Sequence, residues 1–214
     1  MDDFKKHEQF EMKILNLLSS KGLLGKLVFG GGTCLRLCFS LDRYSVDLDF
    51  WSKPSFARKD FKVMQKTLEK DYKILDAKEK HFTYLLELRD KDYPQKLKLE
   101  IRKKPKKCSS ELNIAFSPYS TEQVRLETFT LEQMWRNKVE ALIDRREIRD
   151  AFDLEFLIKK IPSPPISQEQ KEKILKILTA FNPRDFKVKL GSLLSPKERQ
   201  YYAVNGFRLL RNNL

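Results

Sequence analysis

From residue 4 to residue 20 the apolar side chains Phe4, Phe10, Ile14, Leu17 and Leu18 recur at intervals near three and four, predicting an amphipathic helix that ends at Gly22. The run Lys26-Leu27-Val28-Phe29 is short and apolar. It stops at Gly30-Gly31-Gly32 and leads into a helical pattern over Thr33–Phe39, with Leu35 and Leu37 available for burial. This is a strand, glycine turn, helix unit. Tyr44–Trp51 then alternates sharply, with Val46, Leu48 and Phe50 on one side and Ser45, Asp47 and Asp49 on the other, as a half-buried strand does. A helix is expected over 56–70 and strands over 72–77, 81–89 and 96–103, the strands forming a meander.

Near residue 130 the pattern changes. Thr130-Leu131-Glu132-Gln133 has the form of a capping box, and helical periodicity continues from there to the C-terminus. Breaks at Ile161-Pro162-Ser163-Pro164-Pro165, Asn182-Pro183 and Ser195-Pro196 divide this part into four or five helices. The expected fold class is α+β: a mixed-sheet core over residues 1–129, followed by a helical bundle domain over 130–214. With 214 residues, 41% of them apolar, the chain can bury a sizeable core without disulfide staples.

Composition narrows the function classes. Lys and Arg number 43 against 30 Asp and Glu, and the resulting +13 exceeds what solubility needs and points to a polyanionic partner. The densest block is 91–107, where eight Lys or Arg face only Asp92 and Glu100. Its end, Arg102-Lys103-Lys104-Pro105-Lys106-Lys107, reads either as a solvated loop or as a contact for an RNA backbone. No apolar run approaches about 18 residues and the first residues lack the order of a secretory signal, so a cytoplasmic protein with no membrane partner is expected. Cys34, Cys38 and Cys108 lack the spacing of zinc sites, and His7 and His81 are far apart in polar surroundings. These counts argue against disulfide scaffolds, histidine-based hydrolases and multi-histidine metal centres.

Acidic residues on strands supply the candidate chemistry. Asp47 and Asp49 leave the same face of their strand, about 7 Å apart along the backbone. Lys96–Arg102 alternates too, with Leu97, Leu99 and Ile101 inward and Glu100 on the polar face, so Glu100 joins the aspartates if the two strands are neighbours. Two carboxylates about 4 Å apart repel by roughly 4 kcal/mol at an intermediate dielectric, which a hard divalent cation such as Mg²⁺ or Mn²⁺ would relieve. The Gly30-Gly31-Gly32-Thr33 turn, about fifteen residues upstream, offers backbone N–H groups and a positive helix end to a phosphate. It matches neither the P-loop nor the dinucleotide fingerprint. Taken singly, a D-x-D on a solvated strand and a glycine turn are commonplace; together they describe a triphosphate and its metal. Trp51, Phe82 and Tyr84 read as core or rim positions rather than base-stacking platforms.

Gly31-Gly32-Thr33 followed by Arg43-Tyr44-Ser45-Val46-Asp47-Leu48-Asp49-Phe50 resembles the opening motif of the AbiEii/AbiGii toxin family of the nucleotidyltransferase superfamily. A second match is the lysine of Glu132-Gln133-Met134-Trp135-Arg136-Asn137-Lys138-Val139-Glu140-Ala141-Leu142, followed by Arg149-Asp150-Ala151-Phe152-Asp153-Leu154. The resemblance spans residues 26–160 and implies a minimal nucleotidyltransferase core. It implies that Gly31, Gly32 and Thr33 hold the triphosphate, that Arg43 and Ser45 contact the nucleotide, and that Asp47 and Asp49 bind metal. The superfamily's third carboxylate has no tight motif, and strand alternation alone assigns it to Glu100; the resemblance implies that Lys138 contacts the nucleotide phosphates and that Asp150 orients it or a substrate group, completing the site from the helical part. Two plainer readings stay open: Arg43 can pair with a neighbouring carboxylate, and Arg146 with Asp150 and Arg149 with Asp153 can form surface ion pairs worth about 0.3–0.5 kcal/mol.

The expected reaction is metal-dependent transfer of a nucleoside monophosphate from an NTP to an acceptor hydroxyl. The resemblance implies RNA, especially the tRNA 3′ end, as acceptor; the charge of the loop that leaves the Glu100 strand makes Arg102, Lys103, Lys104, Lys106 and Lys107 its candidate contacts. It also implies a toxin with a partner antitoxin. The alternatives are transfer to a small molecule or protein, and a non-catalytic RNA-binding module with the same fold.

Overall fold

The computed structural model describes residues 2–103 and 108–214. They divide into two units: residues up to Ser40 with Ser45–Phe129, and Leu41–Tyr44 with Thr130–Leu214. The first unit is a mixed sheet with helices. Its helices are α1 (Asp2–Ser20), α2 (Gly31–Phe39) and α3 (Arg58–Leu68). Its strands are β1 (Leu27–Gly30), β2 (Asp47–Ser52), β3 (Lys73–Glu79), β4 (Thr83–Arg89), β5 (Leu97–Arg102), β6 (Ser110–Phe116) and β7 (Gln123–Phe129).

The strand order is β3-β4-β5-β2-β1-β7-β6, with β2–β5 and β1–β7 parallel and the other neighbours antiparallel. Parallel pairing needs a crossover, and β3 with β4 provides the return between β2 and β5. The alternating residues of β2 and β5 sort by face: Leu48, Phe50, Leu97, Leu99 and Ile101 are buried with Phe10, Ile14, Leu15 and Leu18 of α1. Besides shifts of one or two residues at the ends of elements, three features differ from the pattern. α2 begins at Gly31 rather than Thr33. β2 begins at Asp47 rather than Tyr44, because the Tyr44 N–H is taken by the Leu193 carbonyl. Strands β6 and β7 are additional to the expected elements: β6 leaves Leu112, Ile114 and Phe116 exposed, while β7 buries Val124 and Leu126.

The second unit contains α4 (Leu131–Arg145), α5 (Ile148–Ile158), α6 (Gln168–Ala180), a π-helical turn (Asp185–Leu190), α7 (Pro196–Asn205) and α8 (Arg208–Asn213). Its starts follow the capping chemistry: the Thr130, Ser167 and Ser195 side chains accept from the N–H groups of Gln133, Gln170 and Glu198. Trp135 is fully buried, and its indole N–H donates to the Pro165 carbonyl at 2.9 Å, which anchors the proline-rich break. The sequence gives no sign that Leu41–Tyr44 groups with these helices; a bridge between Arg43 and Leu194 ties it there.

Gly30 ends β1 between two large rings. A Cβ there would lie 2.6 Å from Trp51 and 2.9 Å from Phe129. Gly30→Ala is therefore expected to lower unfolding free energy by about 1–3 kcal/mol, read by urea denaturation, because two large rings must shift to admit one methyl.

Candidate active site

The glycine turn and the aspartates meet through strand pairing. β1 and β2 run antiparallel with Gly30 opposite Asp49, so the chain turns into α2 beside that carboxylate. Gly31 has φ of 75°, a left-handed value that favours glycine, and a Cβ there would lie 2.9 Å from the Asp49 Cβ and against its carboxylate. Asp49 thus rests on the N-terminus of α2, where N–H groups without helical partners and the positive dipole end favour negative charge.

On the other side, the parallel register of β2 with β5 places Asp47 opposite Lys98 and Asp49 opposite Glu100. The structure brings Asp47, Asp49 and Glu100 together on one half-buried face of adjacent strands, about 4.8 Å apart between strands. Among the described residues, no three His, Cys, Asp or Glu side chains converge closely enough to hold an ion. The Lys98 ammonium lies 3.1 Å from Glu100 Oε2. Burial pushes that ammonium down, but the Glu100 bond and the charges of Asp47, Glu100 and Asp49 outweigh it and hold the group above its usual value. Sequence reasoning missed Lys98 as a member of the site. The signal was present, since it alternates in phase with Glu100.

Behind β2 lies a second layer of polar groups. The Thr33 hydroxyl is wholly buried and donates to the Asp47 carbonyl at 2.6 Å, so this side chain braces the aspartate strand instead of facing a phosphate. His7 Nε2 is 3.0 Å from the Val46 carbonyl. His7 is buried, which corrects the expectation of polar surroundings: it lies on the inward face of α1. Glu11, also buried, lies 3.4 Å from the Thr33 hydroxyl and 3.7 Å from His7 Nε2. Burial, then the Glu8 charge, push the Glu11 carboxyl well above its usual range, while burial lowers His7. Glu8 is paired with Arg36 and accepts from Ser117 Oγ at 2.6 Å.

The remaining candidates separate. Ser45 is half-buried in the segment leading to β2. Arg102 lies over the Trp51 ring at 4.9 Å, and the Lys103 ammonium over Tyr84 at 4.4 Å and 3.0 Å from Glu79. Lys104, Lys106 and Lys107 lie outside the described residues.

Arg43, Lys138 and Asp150 belong to a buried ion cluster of the second unit. Lys138 Nζ is 2.9 Å from Asp150 and 2.6 Å from Asp153. Arg145 donates to both Asp150 oxygens at 2.6 and 2.7 Å, and Arg43 to both Asp153 oxygens at 2.6 and 2.7 Å. Arg43 is 2% exposed, so its guanidinium takes the carboxylate pairing rather than presenting itself to a nucleotide. The surface pairs Arg146–Asp150 and Arg149–Asp153 do not form. Both aspartates are wholly buried, and a buried carboxylate needs desolvated cations within reach.

A glycine turn at a helix N-terminus, with acidic residues on the next two strands of a mixed sheet, is the arrangement of a nucleotidyltransferase core. The chain belongs to the family described as "Nucleotidyl transferase AbiEii toxin, Type IV TA system", whose model matches residues 13–201. The fold is similar to the crystal structure of JHP933 from Helicobacter pylori, with a TM-score of 0.62 at 20% identity over 99% of this chain and 93% of that one. It is also similar to a protein described as a candidate nucleotidyltransferase from H. pylori, with a TM-score of 0.59 at 21% identity over 96% and 93%. No curated protein matches the sequence.

Two outcomes are expected. Thr33→Val keeps the shape but strips the buried Asp47 carbonyl of its donor, so it should cost about 1–3 kcal/mol in urea unfolding, with Thr33→Ser restoring most of it. For Asp150, burial raises the carboxyl, but Lys138 and Arg145 outweigh this and hold it at about 2. That is below the ordinary 3.8, so its stabilising contribution is complete above about pH 4 and is lost as pH falls toward 2. The contribution is about 2 kcal/mol, measurable as the acid limb of stability against pH, and Lys138→Met should flatten that limb.

Proposed function

We propose that the protein transfers a nucleoside monophosphate from a nucleoside triphosphate to an acceptor hydroxyl of RNA, the 3′ end of tRNA, and acts through that modification as a toxin held in check by an antitoxin. The observation that carries this reading is the β2–β5 register, which sets Asp47, Asp49 and Glu100 on one face beside the Gly31 turn. The +13 charge supports a polyanionic acceptor.

By ligand type the three carboxylates suit a hard divalent cation, although they would have to draw together around it, and Gly31 leaves room where a Cβ would strike Asp49. Mg²⁺ or Mn²⁺ held by Asp47, Asp49 and Glu100 would neutralise the triphosphate and make the acceptor hydroxyl a better nucleophile. The backbone N–H groups of Gly31 and Gly32 bind a phosphate at the α2 N-terminus. Ser45 contacts the nucleotide, and Lys98 adds positive charge to the same face. Thr33 holds the Asp47 carbonyl and His7 the Val46 carbonyl. The acceptor oxygen attacks the α-phosphorus in line and pyrophosphate leaves; positioning and charge stabilisation carry the catalysis.

Lys98 among the carboxylates favours one other reading, a module that binds RNA without transfer, and the same experiment separates them. The protein is incubated with Mg²⁺, total tRNA and each α-labelled triphosphate. Label should move to tRNA with at least one triphosphate and fall at least about 100-fold in Asp49→Ala. Label in protein or a small molecule would replace the acceptor, and no transfer with any triphosphate would remove the enzyme reading.

A further inference from the structure

The second unit contains a cavity of about 430 Å³ where the end of α4, the outer face of α6 and the π-helical turn meet. Its lining is of two kinds. Ile143, Ile177 and Phe181, all half-buried, supply an apolar floor, while Arg146, Lys173 and Lys176 stand around it. Lys189 is also there but is paired with Asp185 at 2.9 Å, and Lys173 makes only an exposed pair with Glu169. Among the described residues Arg146 and Lys176 have no ion pair, and both are exposed.

Arg146 is placed at a conformational cost. It caps the C-terminus of α4 at φ 53°, the left-handed position where helices ordinarily use glycine. A long cation kept there, beside an apolar floor, is what a ligand with negative charge on one side and a flat apolar face on the other would require. A nucleotide has that form, its base resting on aliphatic and aromatic side chains and its phosphates on Arg and Lys. The volume holds about one such unit. An amphipathic acidic helix would need apolar anchors over two turns, which a cavity of this size does not offer.

We propose that this cavity binds one nucleotide of the single-stranded end of the acceptor RNA, with Arg146 and Lys176 on the flanking phosphates and the base over Ile177 and Phe181. The inference rests on the RNA-acceptor reading above. It adds a binding site lying wholly within the helical unit.

The test uses the full chain and a labelled single-stranded RNA oligonucleotide carrying 4-thiouridine. In Arg146→Gly/Lys176→Gln, RNA affinity should fall about tenfold at 0.1 M salt, and the slope of log affinity against log salt should drop by about 1.4, the loss of two phosphate contacts. Lys21→Gln/Lys66→Gln, which removes the same charge from the first unit, should change affinity less than twofold. Photo-adducts should map to the peptide bearing Phe181. Arg146→Gly alone should raise the Tm by about 2–4 °C while weakening RNA, a combination that general damage would not produce. Equal losses in both double variants, no loss in the first, or occupation of the cavity by an acidic amphipathic peptide that RNA does not displace would each overturn the proposal. Triphosphate binding in Mn²⁺ is measured alongside. If that binding is intact but the wild-type chain has no RNA affinity, the cavity proposal fails while transfer to another acceptor survives; if triphosphate binding itself is missing, the transfer reading fails.

Discussion

The parallel pairing of β2 with β5 is the constraint on which the first unit depends. Side chains alternate along both strands, so one register buries Leu48, Phe50, Leu97, Leu99 and Ile101 and in the same act lifts Asp47, Asp49, Lys98 and Glu100 to the other face. A slip of one residue would send two aspartates into the core. The hydrophobic effect therefore sets the position of the charges: the apolar half of the pattern fixes the register, and the acidic half has its place decided for it. The antiparallel pairing of β1 with β2 does the same for the glycine turn, delivering Gly30 and Gly31 to Asp49.

Acidic side chains sharing one half-buried face need compensation, and the structure supplies it at short range. Lys98 provides a positive charge on the same face, and the N-terminus of α2 provides one beside Asp49. The backbone beneath is braced rather than free, with Thr33 holding the Asp47 carbonyl and His7 the Val46 carbonyl. Glu11 stays buried among these groups, where burial favours its neutral form. His7 Nδ1 and Glu11 Oε2 have no hydrogen-bond partner among the described residues, so this layer is less completely satisfied than an ordinary core.

The helical unit resolves its charges differently. Asp150 and Asp153 are removed from water entirely, and Arg43, Lys138 and Arg145 surround them with charge-assisted bonds. Such a cluster is weak evidence for stability compared with apolar packing, but losing any one member leaves charge uncompensated. It also explains why the four residues Leu41–Tyr44 group with helices ninety and more positions later: Arg43 is bonded there.

The motif residues were legible from the sequence where local rules decide. Alternation put Asp47 and Asp49 on one face, the capping residues Thr130, Ser167 and Ser195 started helices, and the glycine run ended a strand. Long-range partners were not legible. Nothing in the spacing of Arg146 with Asp150 shows that Arg145 and Lys138 take that carboxylate, and nothing near Thr33 reveals that its hydroxyl faces Asp47. β6 and β7 carry the same period-two signal, in Leu112, Ile114 and Phe116 and in Val124 and Leu126, so both were legible; what the pattern did not show is that β6 turns its apolar residues outward. By itself the sequence determined which side chains share a face, because period and chirality are properties of a single element. Only the tertiary structure decided which faces meet and which charges pair, because those depend on burial and on residues far apart in the chain.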